Sequence, residues 1–198
     1  MGIHRVFTFD TKWNVRFMQM AQLISTWSKD QSTKVGCVIV SPQKAILSMG
    51  YNGFPRGVDD TIPARHKRPT KYDFVVHAEE NALLNAGRNG TRLNGGILYV
   101  TMPPCTHCAG SIIQSGIKEI IYLETEEKEK QIPGWRDSLK YSFEMFDEAN
   151  VKYHALDMAQ AIDILKKQNE PEPKQEKRLT IHSPVEIAQS LGMDQNNM

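Results

Sequence analysis

Residues 97–123 read Ile97-Leu98-Tyr99-Val100-Thr101-Met102-Pro103-Pro104-Cys105-Thr106-His107-Cys108-Ala109-Gly110-Ser111-Ile112-Ile113-Gln114-Ser115-Gly116-Ile117-Lys118-Glu119-Ile120-Ile121-Tyr122-Leu123. The apolar run from Ile97 to Thr101 predicts a strand, and Cys105 to Gln114 predicts a helix stopped at Gly116. Lys118 to Leu123 then predicts a second strand. Pro103 and Pro104 stiffen the intervening turn and suit a helix start. Cys105 and Cys108, about one helical turn apart, can share one face there. Continued alternation follows: a helix over 138–149, a strand over 151–154 and a helix over 158–167. Such alternation implies parallel strands in a sheet covered on both faces, an α/β fold.

Upstream, Lys12 to Trp27 predicts an amphipathic helix, with Trp13, Phe17, Met20, Ala21, Ile24 and Trp27 at helical spacing. Val35 to Val40 and Ala45 to Gly50 predict a hairpin turned at Ser41-Pro42-Gln43-Lys44. The stretch 51–76, rich in Gly, Pro and charge, reads as one long irregular loop, and loops of that length in a compact domain are usually functional. Ala78 to Arg88 predicts a helix ending near Asn89-Gly90. Residues 124–137 read as a polar loop and 170–180 as a linker. Ser183-Pro184-Val185-Glu186 beyond it fits the capped start of a short terminal helix.

The chemistry concentrates in two short segments. His77-Ala78-Glu79 offers an imidazole and a carboxylate; Pro104-Cys105-Thr106-His107-Cys108 offers two thiolates. One histidine and two cysteines make three metal ligands with a vacant fourth position, the arrangement of a catalytic zinc centre. Each segment heads a predicted helix, where the positive end of the dipole favours thiolate and carboxylate. Taken singly, Cys105 and Cys108 also fit a redox pair, and His77 a core histidine, but no thioredoxin-like context accompanies them. His107, between the two cysteines, points away from the metal; Cys37, in an apolar strand, is a packing residue.

The 198 residues suit one domain with additions. With 24 basic and 23 acidic residues the net charge is +1, which provides no broad attraction to nucleic acid or anionic lipid. No stretch is apolar enough to span a membrane, and Met1-Gly2-Ile3-His4-Arg5 lacks a signal-peptide core. Three cysteines, two of them in a metal motif, argue against a disulfide framework and for a reducing, cytoplasmic setting.

H-x-E followed by P-C-x-x-C is the signature of zinc nucleobase deaminases. Over roughly residues 12–154 the chain resembles the deoxycytidylate deaminase branch of the zinc cytidine deaminase superfamily. The resemblance is carried by Ser28-Lys29-Asp30 with Val35 to Val40, and by Gly50-Tyr51-Asn52-Gly53-Phe54-Pro55-Arg56-Gly57. It continues through His77-Ala78-Glu79-Glu80-Asn81-Ala82 and the stretch Gln114 to Tyr122. The metal motif is common to the superfamily; the Gly50–Gly57 segment is specific to this branch.

The resemblance implies a three-layer cytidine-deaminase-like fold with a mixed five-stranded sheet and helices on both faces. It implies a zinc deaminase domain over 1–169 and a tail over 170–198. Zn²⁺ would be held by His77, Cys105 and Cys108, with Glu79 as the catalytic acid and base. The substrate would be dCMP, hydrolysed to dUMP, with Lys29 and Tyr122 as substrate contacts. The implied effectors are dCTP (activating) and dTTP (inhibiting), bound by Gly50, Tyr51, Asn52, Gly53 and Asn81, with Mg²⁺ accompanying the triphosphate. Arg88 would lie at a subunit contact of a homohexamer; Arg65-His66-Lys67-Arg68 reads first as a solvated loop and second as a set of candidate phosphate contacts, with Lys29. The acids at 124–130 depart from relatives that carry a tyrosine near the substrate. Two rivals share the metal motif: a tRNA adenosine-type deaminase, disfavoured by the charge balance, and a zinc-stabilised nucleotide-binding module, which would leave Glu79 without a task.

Overall fold

The computed structural model describes residues 11–123 and 135–169. The acids at 124–130, the linker at 170–180 and the helix expected from Ser183 lie outside the described residues. The sheet and site below lie within the unit Met1–Gln168. In chain order the elements are α1 (Thr11–Ser25), β1 (Gly36–Val40), β2 (Ile46–Tyr51), a 3-10 turn (Pro63–His66), α2 (Lys71–Phe74) and α3 (Ala78–Arg88). They continue with β3 (Ile97–Val100), α4 (Thr106–Gln114), β4 (Glu119–Leu123), α5 (Trp135–Glu148), β5 (Lys152–Leu156) and α6 (Met158–Asn169).

The strands form one five-stranded mixed sheet in the order β2-β1-β3-β4-β5. β1 runs antiparallel to β2 and β3, while β3, β4 and β5 are parallel. Alternation along the central strands divides the core into two layers. Val38, Val40, Tyr99 and Ile121 pack with Val15, Phe17, Met18, Ala21 and Ile24 of α1 and Ala161 of α6. Cys37, Ile39, Leu98, Val100, Ile120 and Tyr122 face the opposite way, onto Ala82 of α3, Ile112 of α4 and Phe146 of α5. Strands covered on both faces read as unbroken apolar runs, which is why β1 and β3 carry almost no polar residues. Among the described residues no helix is long and apolar enough to cross a membrane.

Two sequence expectations are corrected. The first helix stops at Ser25, because a tight turn closes it: Thr26, Trp27 and Ser28 N–H groups donate to Leu23, Ile24 and Ser25. Trp27 therefore leaves the core face and stands 52% exposed, edge-on to Tyr51. The stretch 51–76 is not one irregular loop. Gly53 and Val76 exchange backbone hydrogen bonds of 3.1 and 2.9 Å, closing the excursion between them just ahead of His77. Inside it, Phe54 stacks on both His66 and Phe74, and Arg65 lies over Phe74. These pairings are invisible in sequence periodicity because they join single residues across a loop.

β2 lies against α3 through Gly50, where a methyl group would come within 2.4 Å of Ala82 N and 2.5 Å of Ala78 O. Both are backbone atoms, so nothing there can give way cheaply. Gly50→Ala is expected to cost about 3 kcal/mol, the upper range for overpacking, read as a lower denaturation midpoint. Since α3 carries His77 and Glu79 at its head, the variant should also hold metal less tightly.

Candidate active site

Three side chains from two helix heads converge. His77 occupies the N-cap of α3 and Cys105 the N-cap of α4, both in extended backbone conformation. Cys108 follows one turn into α4. Their donor atoms lie within 4.8 Å of one another, and each sulfur stands 3.4 Å from His77 Nδ1. Zinc bonds of roughly 2.0–2.1 Å to nitrogen and 2.3 Å to sulfur place tetrahedral ligands about 3.6 Å apart. The spacing and the buried nitrogen–sulfur donor set therefore fit a zinc ion. The backbone N–H groups at the head of α4 are partly satisfied from outside, since Thr106 N donates to Ser138 Oγ of α5 at 3.1 Å.

The electrostatics of the cluster follow from crowding. The Cys108 thiol beside Cys105, with His77 behind it, lowers Cys105 to about 4. The hydrogen bond to Cys105 raises His77 to about 9. Cys108 is pushed upward by its sulfur neighbour and by burial. One sulfur thus keeps a proton that a divalent cation would displace, because metal-bound cysteine is a thiolate. Glu79, only 4% exposed, is raised to about 7 by burial, opposed by His77. Cys37, fully buried beneath it in β1, is raised well above the usual thiol range by burial and by Glu79. His107 projects outward, 72% exposed and 3.6 Å from Glu80.

His77 and Glu79 open into a cavity of about 540 Å³, within the usual size for a small-molecule site. Val35, Ala78, Met102 and Pro103 give it apolar walls; Asp30, Asn52, Arg68, Lys71 and Tyr72 give it polar ones. A second, smaller cavity of about 150 Å³ adjoins it, lined by Trp27, Lys29, Tyr51, Gly53, Asp60 and His66. Asp30, Lys71 and Val75 border both.

The wall between them is tied by a buried ion pair that sequence reading missed. Lys71 Nζ donates to Asp30 Oδ2 and to Ser32 Oγ, both at 2.8 Å, with the two charged side chains only 7% and 10% exposed. Burial pushes the Asp30 carboxyl up, but bonds from Lys71, Ser32 and Thr33 outweigh it and hold the carboxyl below 3.8. Its stabilising contribution is therefore complete above that value and is lost as the pH falls through the folded-state pKa. Lys71→Met should destabilise the fold by about 3–5 kcal/mol by stranding the Asp30 charge. Denaturant midpoints across pH 2–7 would check both the size and the direction. No spacing rule could have found this pair, whose members are far apart in sequence and meet only through the loop.

The remaining sequence candidates are placed as follows. Lys29 is exposed, paired with Asp60 at 2.7 Å in the smaller cavity, away from the metal ligands. Tyr122 is buried in the core against Phe143 and does not line the cavity. Gly50 packs on α3, as described. Tyr51 and Gly53 line the smaller cavity. Asn52, 5% exposed, clamps the chain: Oδ1 accepts from Val35 N and Nδ2 donates to Thr33 O, both at 2.8 Å. Asn81 Nδ2 donates to Tyr51 O at 2.8 Å. Arg88 is exposed at the end of α3.

Comparison with known proteins places the site in context. Residues 11–124 match the family model described as the cytidine and deoxycytidylate deaminase zinc-binding region. A deaminase from the luxG 3' region of Aliivibrio fischeri is 42% identical over 156 residues, covering 79% of this chain and 99% of that one. Human deoxycytidylate deaminase is 44% identical over 117 residues, covering 57% of this chain and 65% of its own. Among solved structures, the dCMP deaminase of cyanophage S-TIM5 in complex with dCMP and dUMP is 27% identical. Its TM-score is 0.57, with 76% of this chain and 100% of that chain covered.

Proposed function

The chain belongs to the cytidine and deoxycytidylate deaminase zinc-binding family, and on that premise we propose that it hydrolyses dCMP to dUMP and ammonia. What carries the reading is the convergence of His77, Cys105 and Cys108 beside buried Glu79, with His77 and Glu79 both bordering a nucleotide-sized cavity. Support for the substrate comes from the human relative and from the phage structure holding dCMP and dUMP.

Zinc bound by His77, Cys105 and Cys108 supplies Lewis-acid activation of water. Glu79 takes the proton released as water adds to C4 of the cytosine ring, delivers one to N3, and assists departure of ammonia. A carboxyl only 4% exposed beside the metal ligands is placed to take and return protons without exchange with bulk water. The apolar walls keep bulk water from competing for those protons. Asn52 keeps residues 33–35 against the cavity, so the clamp positions the wall.

In this reading the enzyme is cytoplasmic and supplies dUMP for thymidylate synthesis. It forms a homohexamer with Arg88 at a subunit contact; of the two substrate contacts that the resemblance implies, Lys29 borders only the smaller cavity and Tyr122 is packed in the core, so neither reaches the metal cavity in this conformation. dCTP activates and dTTP inhibits at a site built around Gly50, Tyr51, Asn52, Gly53 and Asn81, with Mg²⁺ on the triphosphate. The smaller cavity, at about 150 Å³, is too small for a nucleotide as it stands. The test is the ultraviolet change of dCMP with purified protein, alone and with each triphosphate. Turnover with a substrate curve that dCTP and dTTP shift in opposite directions is expected. Absence of turnover on dCMP overturns the function; a curve indifferent to both triphosphates overturns the regulation alone.

A further inference from the structure

Five charged residues border the metal cavity: Asp30, Arg68, Lys71, His77 and Glu79. Four have tasks. Asp30 and Lys71 neutralise each other at 2.8 Å, His77 faces the two sulfurs, and Glu79 is the buried acid and base. Arg68 is left. It is exposed, and among the described residues no carboxylate pairs with it. Its guanidinium lies over the Tyr72 ring, 5.9 Å from the centroid, and Tyr72 is itself 54% exposed at the cavity wall.

The other members of the basic run are committed elsewhere. Arg65 donates to Asp59 O at 2.9 Å and covers Phe74. His66 sits 2.7 Å from Asp60 O and stacks on Phe54. Lys67 does not border the cavity. Lys29 is held by Asp60. From a run of four bases, the fold therefore turns only Arg68 onto the cavity with its donors unspent.

We propose that Arg68, seated on Tyr72 at the exposed wall of the metal cavity, receives the substrate's phosphate and so sets the preference for a nucleotide over a nucleoside. The inference rests on the deaminase reading above. A guanidinium offers paired donors that match a phosphate, and stacking on an aromatic face leaves those donors free at the edge. The reacting base belongs at the buried end beside Glu79, so the anionic group of the same molecule falls toward the exposed wall.

The experiment compares kcat/KM for dCMP with that for deoxycytidine in wild type, Arg68→Ala and Arg68→Lys. It also measures dUMP and deoxyuridine binding by calorimetry on the same zinc-loaded preparations. Arg68→Ala is expected to lower the dCMP-to-deoxycytidine ratio about 10–100-fold, chiefly through KM, as loss of a charged hydrogen bond does. The dUMP-to-deoxyuridine affinity ratio should fall in parallel, and Arg68→Lys should recover part of both. Ratios within twofold of wild type, or equal losses on nucleotide and nucleoside, overturn the assignment and leave the deaminase reading standing. Wild type that deaminates neither compound overturns both together.

Discussion

Glu79→Gln is expected to keep a full complement of zinc while losing turnover of dCMP by about 10²–10⁴-fold or more, the range that positioned proton transfer supplies. The amide has nearly the shape of the carboxylate, so the head of α3 and the His77–Cys105–Cys108 cluster should keep their geometry. What it loses is the capacity to accept a proton. Among the described residues bordering Glu79, none is free to take over: Asp30 is bound by Lys71, His77 serves the metal cluster, and Cys37 is a fully buried thiol with a raised pKa. The deficit should sit in kcat, because Glu79 acts on the reacting atoms rather than on binding. Metal analysis and steady-state kinetics on one preparation read the two halves of this expectation. Near-normal kcat with zinc in place would remove Glu79 from the chemistry.

Much of this site is legible in the chain because it is local. Pro103 and Pro104 set the start of α4, a single helical turn separates Cys105 from Cys108, and His77 and Glu79 share one helix head. The sheet is legible for a related reason: unbroken apolar strands alternating with helices leave few arrangements other than parallel strands covered on both faces. What sequence conceals is long-range. Nothing in the sequence shows that Gly50 is where β2 meets the α3 backbone, or that Asn52 pins the chain at Thr33 and Val35. Lys71 has no motif and no periodicity to mark it, and becomes visible only when the closed loop sets it against Asp30. Equally hidden is the sorting of the basic run, since four adjacent bases look alike until Phe54, Phe74 and Tyr72 give them different seats.

Those long-range contacts explain how a helix head can be held to ångström tolerance at the end of a loop. Gly53 and Val76 pair immediately before His77, so α3 starts from a fixed point. Gly50 then lets α3 lie directly on β2, and Ser48 Oγ donates to Ala82 O at 2.6 Å one turn further along. On the other side, β3 delivers α4 from the sheet, and Ser138 of α5 holds its first turn. The two heads meet because each is anchored separately to the sheet.

Cys108→Ser tests whether that meeting exists for a metal. Cys108 is fully buried, and its sulfur stands 3.4 Å from His77 Nδ1. A hydroxyl is a far poorer zinc ligand than a thiolate. The variant should lose zinc to a mild chelator that leaves wild type loaded, and deamination should fall to background with it. Ligand linkage supplies a second readout: metal that binds only the folded chain raises its melting temperature with metal concentration. Wild type should therefore melt lower after exhaustive chelation, while Cys108→Ser should melt at one temperature with or without zinc. Cys37→Ser is the matched control. That residue is also fully buried, but it sits in β1 among Ile39, Leu98 and Val100, outside the ligand cluster. It should lose stability, since a buried hydroxyl without a partner is costly, yet still bind zinc and still respond to it. A Cys108→Ser protein that kept stoichiometric zinc and full turnover would mean that α4 contributes only Cys105, and the three-ligand centre would have to be abandoned.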